Sequence, residues 1–188
     1  YDSVISNWLN ENLEIQFPEK QTIHGKLIEK LRYGENPHQQ ASIYKTTKNL
    51  DFEQIHGKKL SYNNYNDIHA ALIILKSFKE KNTTVIVKHT NPCGVSSGGK
   101  TINTFKNAFN CDPLSAYGGV IAINSKITKE IADEINKNFF EIIISNDFDK
   151  VALKILKKRK NLRLIKLNKI NNVNNKQFNF IGNTFLLQ

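Results

Sequence analysis

Short aliphatic runs alternate along the chain with stretches whose apolar residues recur every three or four positions. Val4, Ile5, Trp8 and Leu9 share one helical face and predict a leading or connecting helix over 3–9. A loose alternation over 21–28 predicts an edge strand. Ile68, Ala71, Leu72, Leu75 and Phe78 mark a helix that Asn64 or Asn66 can cap, with His69 one position off the apolar series and therefore solvated. Ile102, Phe105, Ala108 and Phe109 mark another. Thr128 is placed to cap a helix through Ile131 and Ile135, and Asp147 or Asp149 one that runs to about Lys160. Between these lie the strand-like runs 84–87, 120–123, 139–144 and 162–167. An Asn/Lys loop over 168–176 follows, and the chain closes in a strand at 184–188. The order β-α-β-α-β-α-β predicts an α/β layer structure with substantially parallel pairing and right-handed crossovers.

Several polar interruptions do not suit a core. The run Val85-Ile86-Val87 stops at Lys88-His89, and a Pro92-Cys93-Gly94 turn is expected next. A cation and an imidazole at a strand's carboxyl end fit a ligand site in an open α/β sheet, and equally a strand end in solvent. Leu31-Arg-Tyr-Gly-Glu-Asn-Pro-His-Gln-Gln40 is a turn-rich loop. Its Arg32 is a planar fork suited to phosphate, or a surface partner for Glu35, and Tyr33 offers a flat face with a hydroxyl. Leu60-Ser-Tyr-Asn-Asn-Tyr-Asn-Asp67 reads as a polar turn leading into a helix. Gly118-Gly119 permits positive φ or close approach to a ligand, and also serves plain tight turns. Glu141 interrupts the apolar run 139–144, where a carboxylate needs an ion-pair partner or a ligand.

Composition narrows the classes. With 188 residues and 39% hydrophobic content the chain can build one sizeable core. No run reaches the length of a membrane helix, and Tyr1-Asp-Ser lacks a signal-type start, so no membrane association is expected. The net charge of +10 raises a nucleic-acid reading. The basic residues do not cluster with stacking aromatics, however. The densest stretch, 154–169, interleaves them with leucines as on solvated faces of a helix and a strand. Two cysteines, Cys93 and Cys111, lack CxxC spacing, which points to neither disulfide nor structural metal and makes a reducing cytoplasm the default. There is no P-loop, GxGxxG or zinc-deaminase signature.

Three loops in order carry a family match: Leu31–Gln39, Val87-Lys-His-Thr-Asn-Pro-Cys-Gly94 and Asp112-Pro-Leu-Ser-Ala-Tyr-Gly-Gly119. With Leu60–Asp67 and Phe140–Ile144 they resemble the AICAR transformylase domain of the bifunctional AICAR formyltransferase/IMP cyclohydrolase family. The resemblance implies a three-layer α/β/α, cytidine-deaminase-like fold without zinc. It also implies formyl transfer from 10-formyltetrahydrofolate to the 5-amino group of AICAR in IMP biosynthesis, and a homodimer in the full-length enzyme. By position it makes Lys88 and His89 the catalytic pair, and Arg32, Tyr33, Gly118 and Glu141 residues that hold the ribotide. A base must take the amine proton as the C–N bond forms, and an imidazole suits that task. An ammonium suits the oxyanion of the tetrahedral state.

On the same ground residues 1–20 are expected to be the exit from a cyclohydrolase domain, and 21–188 the first half of the transformylase domain. Most folate contacts and a further catalytic asparagine would then lie in a second half, so the chain alone is expected not to turn over. Tyr117 stands where the family usually has Phe, and Ser145-Asn146 where Ala-Pro is common.

Overall fold

The computed structural model describes residues 1–46, 52–168 and 178–187. They fall into two compact units, Tyr1–Leu50 and Asp51–Gln188. The smaller holds helix α1 (Asp2–Asn12) and an antiparallel hairpin of β1 (Lys26–Lys30) and β2 (Ser42–Lys45). The leading helix is found as expected. The strand expected over 21–28 starts later, at Lys26, and Thr22 and His24 instead serve as polar partners of the helix. The Thr22 hydroxyl donates to Asn7 Oδ1 at 2.7 Å, and the Asn7 amide lies 3.0 Å from His24 Nδ1.

The larger unit runs β3 (Phe52–His56), α2 (Tyr62–Lys76), β4 (Thr84–Lys88), β5 (Asn91–Ser96), α3 (Thr101–Cys111), β6 (Val120–Ile123), α4 (Lys129–Asn136), β7 (Ile142–Ser145), α5 (Lys150–Leu156) and β8 (Arg163–Leu167). A hairpin of β9 (Phe178–Ile181) and β10 (Thr184–Leu187) follows, and β10 matches the strand expected over 184–188 as far as Leu187, Gln188 lying outside the described residues. The loop expected over 168–176 lies outside the described residues except for Asn168.

Six strands form one sheet in the order β3-β8-β7-β6-β4-β5. Pleating sends alternate residues to opposite faces. Ile86, Ile121, Ile123, Ile143 and Leu164 meet Phe105 and Ala108 of α3, Ile131 and Ile135 of α4, and Ala152 and Leu156 of α5. On the other face Val85, Val87, Val120, Ala122, Ile142 and Ile144 meet Ile68, Ala71 and Leu75 of α2. The unit is a three-layer α/β/α structure.

Pairing departs from the expected parallel sheet. β6, β7 and β8 are mutually parallel, but β4 runs antiparallel to β6 and to β5. The cause is β5, where a turn was expected. Pro92 has no amide to donate and is tolerated because β5 is an edge strand. Ile86 faces Gly94 and Val87 faces Pro92, which leaves Cys93 as the extra residue of a bulge. The chain therefore reverses after β4, and β5-α3-β6 spans it.

Local starts differ too. Ser61, not Asn64 or Asn66, caps α2: its hydroxyl accepts the Asn64 amide at 3.2 Å, and the Asn64 side chain accepts the Ser61 amide at 3.1 Å. The supposed turn Leu60–Asp67 is mostly the first half of that helix. Thr128 and Asp149 occupy N-cap positions without a side-chain cap bond, and α5 ends at Leu156, short of Lys160.

The Asp149 carboxylate instead meets Lys126 at 2.7 Å, while Asp147 meets Lys166 at 2.9 Å. The Lys166 hydrogen bond holds the Asp147 carboxyl below its ordinary range. A depressed carboxyl contributes stability above its unfolded pKa and loses it as pH falls through the folded value. Asp147→Asn should therefore show a smaller drop in thermal midpoint between neutral pH and about pH 3 than the parent chain. An equal drop would count against this pair.

Candidate functional site

Strand direction decides where the polar residues meet. Because β4 is antiparallel to β6, its carboxyl end lies beside the amino ends of β6, β7 and β8. Val87 pairs with Val120, Val120 with Ile142, and Ile142 with Arg163. The polar residues expected beyond the strands' carboxyl ends thus lie at the carboxyl end of β4 but at the amino ends of β6, β7 and β8. Lys88, Gly118, Glu141 and Arg163 line up along this one sheet edge.

Backbone bonds tie the segments together. Gly118 N–H donates to Phe139 O at 2.8 Å, Glu141 N–H to Gly119 O at 3.1 Å, and Arg163 N–H to Glu141 O at 3.0 Å. The half-buried Lys88 donates from Nζ to Tyr117 O at 2.7 Å, which fixes the ammonium against the Gly118-Gly119 turn. Gly118 has φ +76°, a conformation other residues adopt only at a cost, and the Phe139 ring closes over it.

Glu141 does not interrupt a strand. It immediately precedes β7, and its Oε2 lies 3.4 Å from Arg163 Nη1. The Glu141 side chain keeps 44% of its surface exposed, whereas that of Arg163 keeps 12%. Arg163 Nε also donates to the carbonyls of Lys58 at 3.1 Å and Lys59 at 3.2 Å. Arg159 donates to Phe140 O at 2.9 Å and lies 5.5 Å from the centroid of the Phe139 ring. Burial pulls both guanidinium groups below their ordinary pKa, with Glu141 opposing the shift at Arg163. Together with Lys58, Lys160 and Asn161 they line a groove of about 400 Å³.

His89 is exposed and forms, with Thr90, the link between β4 and β5, both with positive φ. Asp67 Oδ1 of α2 accepts the Thr90 N–H at 2.7 Å. Cys93, packed on the core with its thiol pushed up by burial, and the exposed Cys111 are both free. Among the described residues no group of His, Cys, Asp and Glu is arranged to hold a metal ion.

Arg32 and Tyr33 belong to the 1–50 unit. There the Arg32 guanidinium lies 5.9 Å from the centroid of the Tyr33 ring. The loop around them is closed by Gly34 N–H on Gln39 O at 2.7 Å and by Asn36 N–H on Gln39 Oε1 at 2.8 Å. This makes it a built turn and not a loose connection.

A family model described as AICARFT/IMPCHase bienzyme matches residues 1–188. The chain belongs to the AICARFT/IMPCHase bienzyme family. The match crosses the boundary between the two compact units, so the Arg32-Tyr33 loop and the sheet edge fall within one bienzyme segment. Relatives named "Bifunctional purine biosynthesis protein PurH" are similar over 88% of this chain. That of Thermoanaerobacter sp. is 44% identical over 169 residues, that of Bradyrhizobium diazoefficiens 47% over 171, and that of Caldicellulosiruptor saccharolyticus 46% over 173. The matched stretch is 33%, 32% and 34% of their respective lengths. The chain thus spans about a third of the bienzyme relatives it matches.

Sequence reasoning passed over Arg159, Arg163 and Asp67 in this bienzyme segment. The two arginines stood inside the basic stretch assigned to solvated faces. That assignment suits the exposed Lys157, Lys158 and Lys160 but not Arg163. A usable signal was present: arginine, unlike lysine, is suited to bonding several acceptors at once from a partly buried position.

Proposed function

We propose that this chain supplies the catalytic pair of a formyl transfer from 10-formyltetrahydrofolate to the 5-amino group of AICAR, a step of purine (IMP) biosynthesis. The observation that carries the reading is that Lys88, followed directly by His89 at the hairpin tip, shares one sheet edge with Gly118 and Glu141, in a member of this family. The amine nitrogen attacks the formyl carbon, and His89 takes the proton the nitrogen must lose. Lys88 donates to the oxygen that becomes negative. As the carbonyl re-forms, the bond from the formyl carbon to N10 of the folate breaks. N10 takes up the proton held by His89, so that tetrahydrofolate leaves with that nitrogen neutral and the base is restored. An ammonium has three donors, and the bond to Tyr117 O uses one of them. The Gly118 backbone and the Glu141 carboxylate hold the ribotide; for Arg32 and Tyr33 it is the family resemblance that supports a part in binding it.

The folate co-substrate draws most of its contacts from outside residues 1–188, the active enzyme is a cytoplasmic homodimer, and this chain alone binds ribotide without turning it over. The length supports this last point, since the chain spans about a third of its relatives. Among the described residues no helix is long and apolar enough to cross a membrane.

Calorimetry of the chain with AICAR tests the binding half of the proposal. Binding is expected, and Glu141→Gln should weaken it by roughly 10–100-fold, the scale of one charge-assisted hydrogen bond. Absence of AICAR binding, or an unchanged affinity in the variant, would sink the substrate assignment. Formyl transfer on adding 10-formyltetrahydrofolate to the chain alone would show that the transfer machinery is already complete.

A further inference from the structure

Two consecutive non-glycine residues take left-handed backbone at the tip of the β4–β5 hairpin, His89 at φ +50° and Thr90 at φ +63°. Lys88 pairs with Asn91, so these two residues are the whole connection. Two-residue links with positive φ at both positions are normally built from Asn-Gly or Asp-Gly. Histidine tolerates the left-handed region moderately; a β-branched threonine there is an outlier that something must hold.

Local bonds hold part of it. The Thr90 hydroxyl donates to His89 O at 2.7 Å, and the Asn91 side-chain amide to the same oxygen at 2.9 Å. Both arise within the turn and move with it. Asp67 reaches it from a different element, and its Oδ1 accepts the Thr90 N–H at 2.7 Å. Its own helix is fixed by the Ser61–Asn64 capping box and by Ile68, Ala71 and Leu75, buried against the sheet. Asp67 is half-buried, and burial pushes its carboxyl up while the Thr90 N–H and the His89 charge pull it down.

We propose that Asp67 is a positioning residue for His89: its carboxylate pins the strained His89–Thr90 turn to the rigid helix α2 and so holds the imidazole beside Lys88. This deepens the reading of His89 as the base and rests on it. The role is carried by the acceptor oxygen, not by charge, so an asparagine whose carbonyl takes the same N–H should serve.

The test uses turnover-competent protein carrying this chain. Asp67→Ala is expected to lower kcat by roughly 10²-fold, the scale of a small misplacement of a reacting group, with KM for the ribotide within about threefold. Asp67→Asn is expected to recover kcat to within about fivefold of the parent, the remainder reflecting the weaker neutral bond. Asp67→Ala/Thr90→Gly should regain part of the loss, because glycine takes the left-handed conformation unaided. A parent-like kcat in Asp67→Ala overturns the proposal, as does an Asp67→Asn variant as slow as the alanine one. If the alanine variant does not fold, the asparagine variant decides alone. His89→Ala separates this from the underlying reading: if it stays active the base assignment has failed, and if it alone is inactive the positioning role has.

Discussion

His89→Ala should slow formyl transfer by roughly 10²–10⁴-fold, the usual contribution of a positioned general base, while AICAR affinity stays within a few fold. The asymmetry follows from the proposed roles. The imidazole is exposed at the tip of a hairpin and is needed only as the amine loses its proton, whereas Gly118 and Glu141 hold the ribotide before and after. Alanine accepts φ +50° less readily than histidine, so a loss in that variant alone mixes chemistry with backbone. Asparagine is at ease in the left-handed region and brings no base, so His89→Asn should be as slow as His89→Ala. Lys88→Ala should lose roughly 10²–10³-fold by removing the oxyanion donor, and Lys88→Arg should recover little, since the planar fork cannot replace a compact ammonium. Steady-state kcat and KM measured in parallel decide the matter; rates near the parent's in both His89 variants would remove the base from the mechanism.

The second large effect is structural. A Cβ on Gly94 would fall on the Ala108 carbonyl oxygen and 2.9 Å from the Cys111 Cβ, where α3 crosses β5. Two of its nearest contacts are helix backbone, which cannot turn aside as a flexible side chain does. Gly94→Ala should therefore cost about 3 kcal/mol or more, at the upper end of overpacking penalties. At roughly 2–4 °C per kcal/mol for a chain of this size, the thermal midpoint falls by about 6–12 °C. Gly98→Ala is the control. Its φ is +83°, yet nothing lies within 4 Å of the added carbon, so only the backbone term of about 1 kcal/mol remains. Equal midpoint shifts in the two variants would show that close packing is not what reserves position 94 for glycine.

These two cases also show which parts of the molecule were legible in advance. Lys88 and His89 stood out because polar groups halted an apolar run, and Glu141 because a carboxylate stood among aliphatics. Gly94 was visible only as a turn residue. Its Pro-Cys-Gly setting favours turns, and the edge strand that tolerates the proline cannot be seen without its neighbours. Arg163 was hidden by its company: among lysines it looked solvated, while the fold places its guanidinium against Glu141 and the Lys58 and Lys59 carbonyls. Asp67 looked like part of a polar turn because a helix starting at Ser61 carries its polar residues in its first turns.

By itself the sequence determined the strand and helix runs of the core, the α/β class, and the polar residues that interrupt the apolar pattern. Hydrophobic periodicity reports which face of an element is buried, and a side chain out of keeping with its run reports that something other than packing holds it there. Only the tertiary structure decided the direction of β4 and the signs of φ at His89 and Thr90. Periodicity is the same for a strand read in either direction, so it cannot say which ends of a sheet share an edge. Left-handed backbone at two ordinary residues depends on a bond from a distant helix. Both decisions bear on the same place, where the end of β4 meets the starts of β6, β7 and β8.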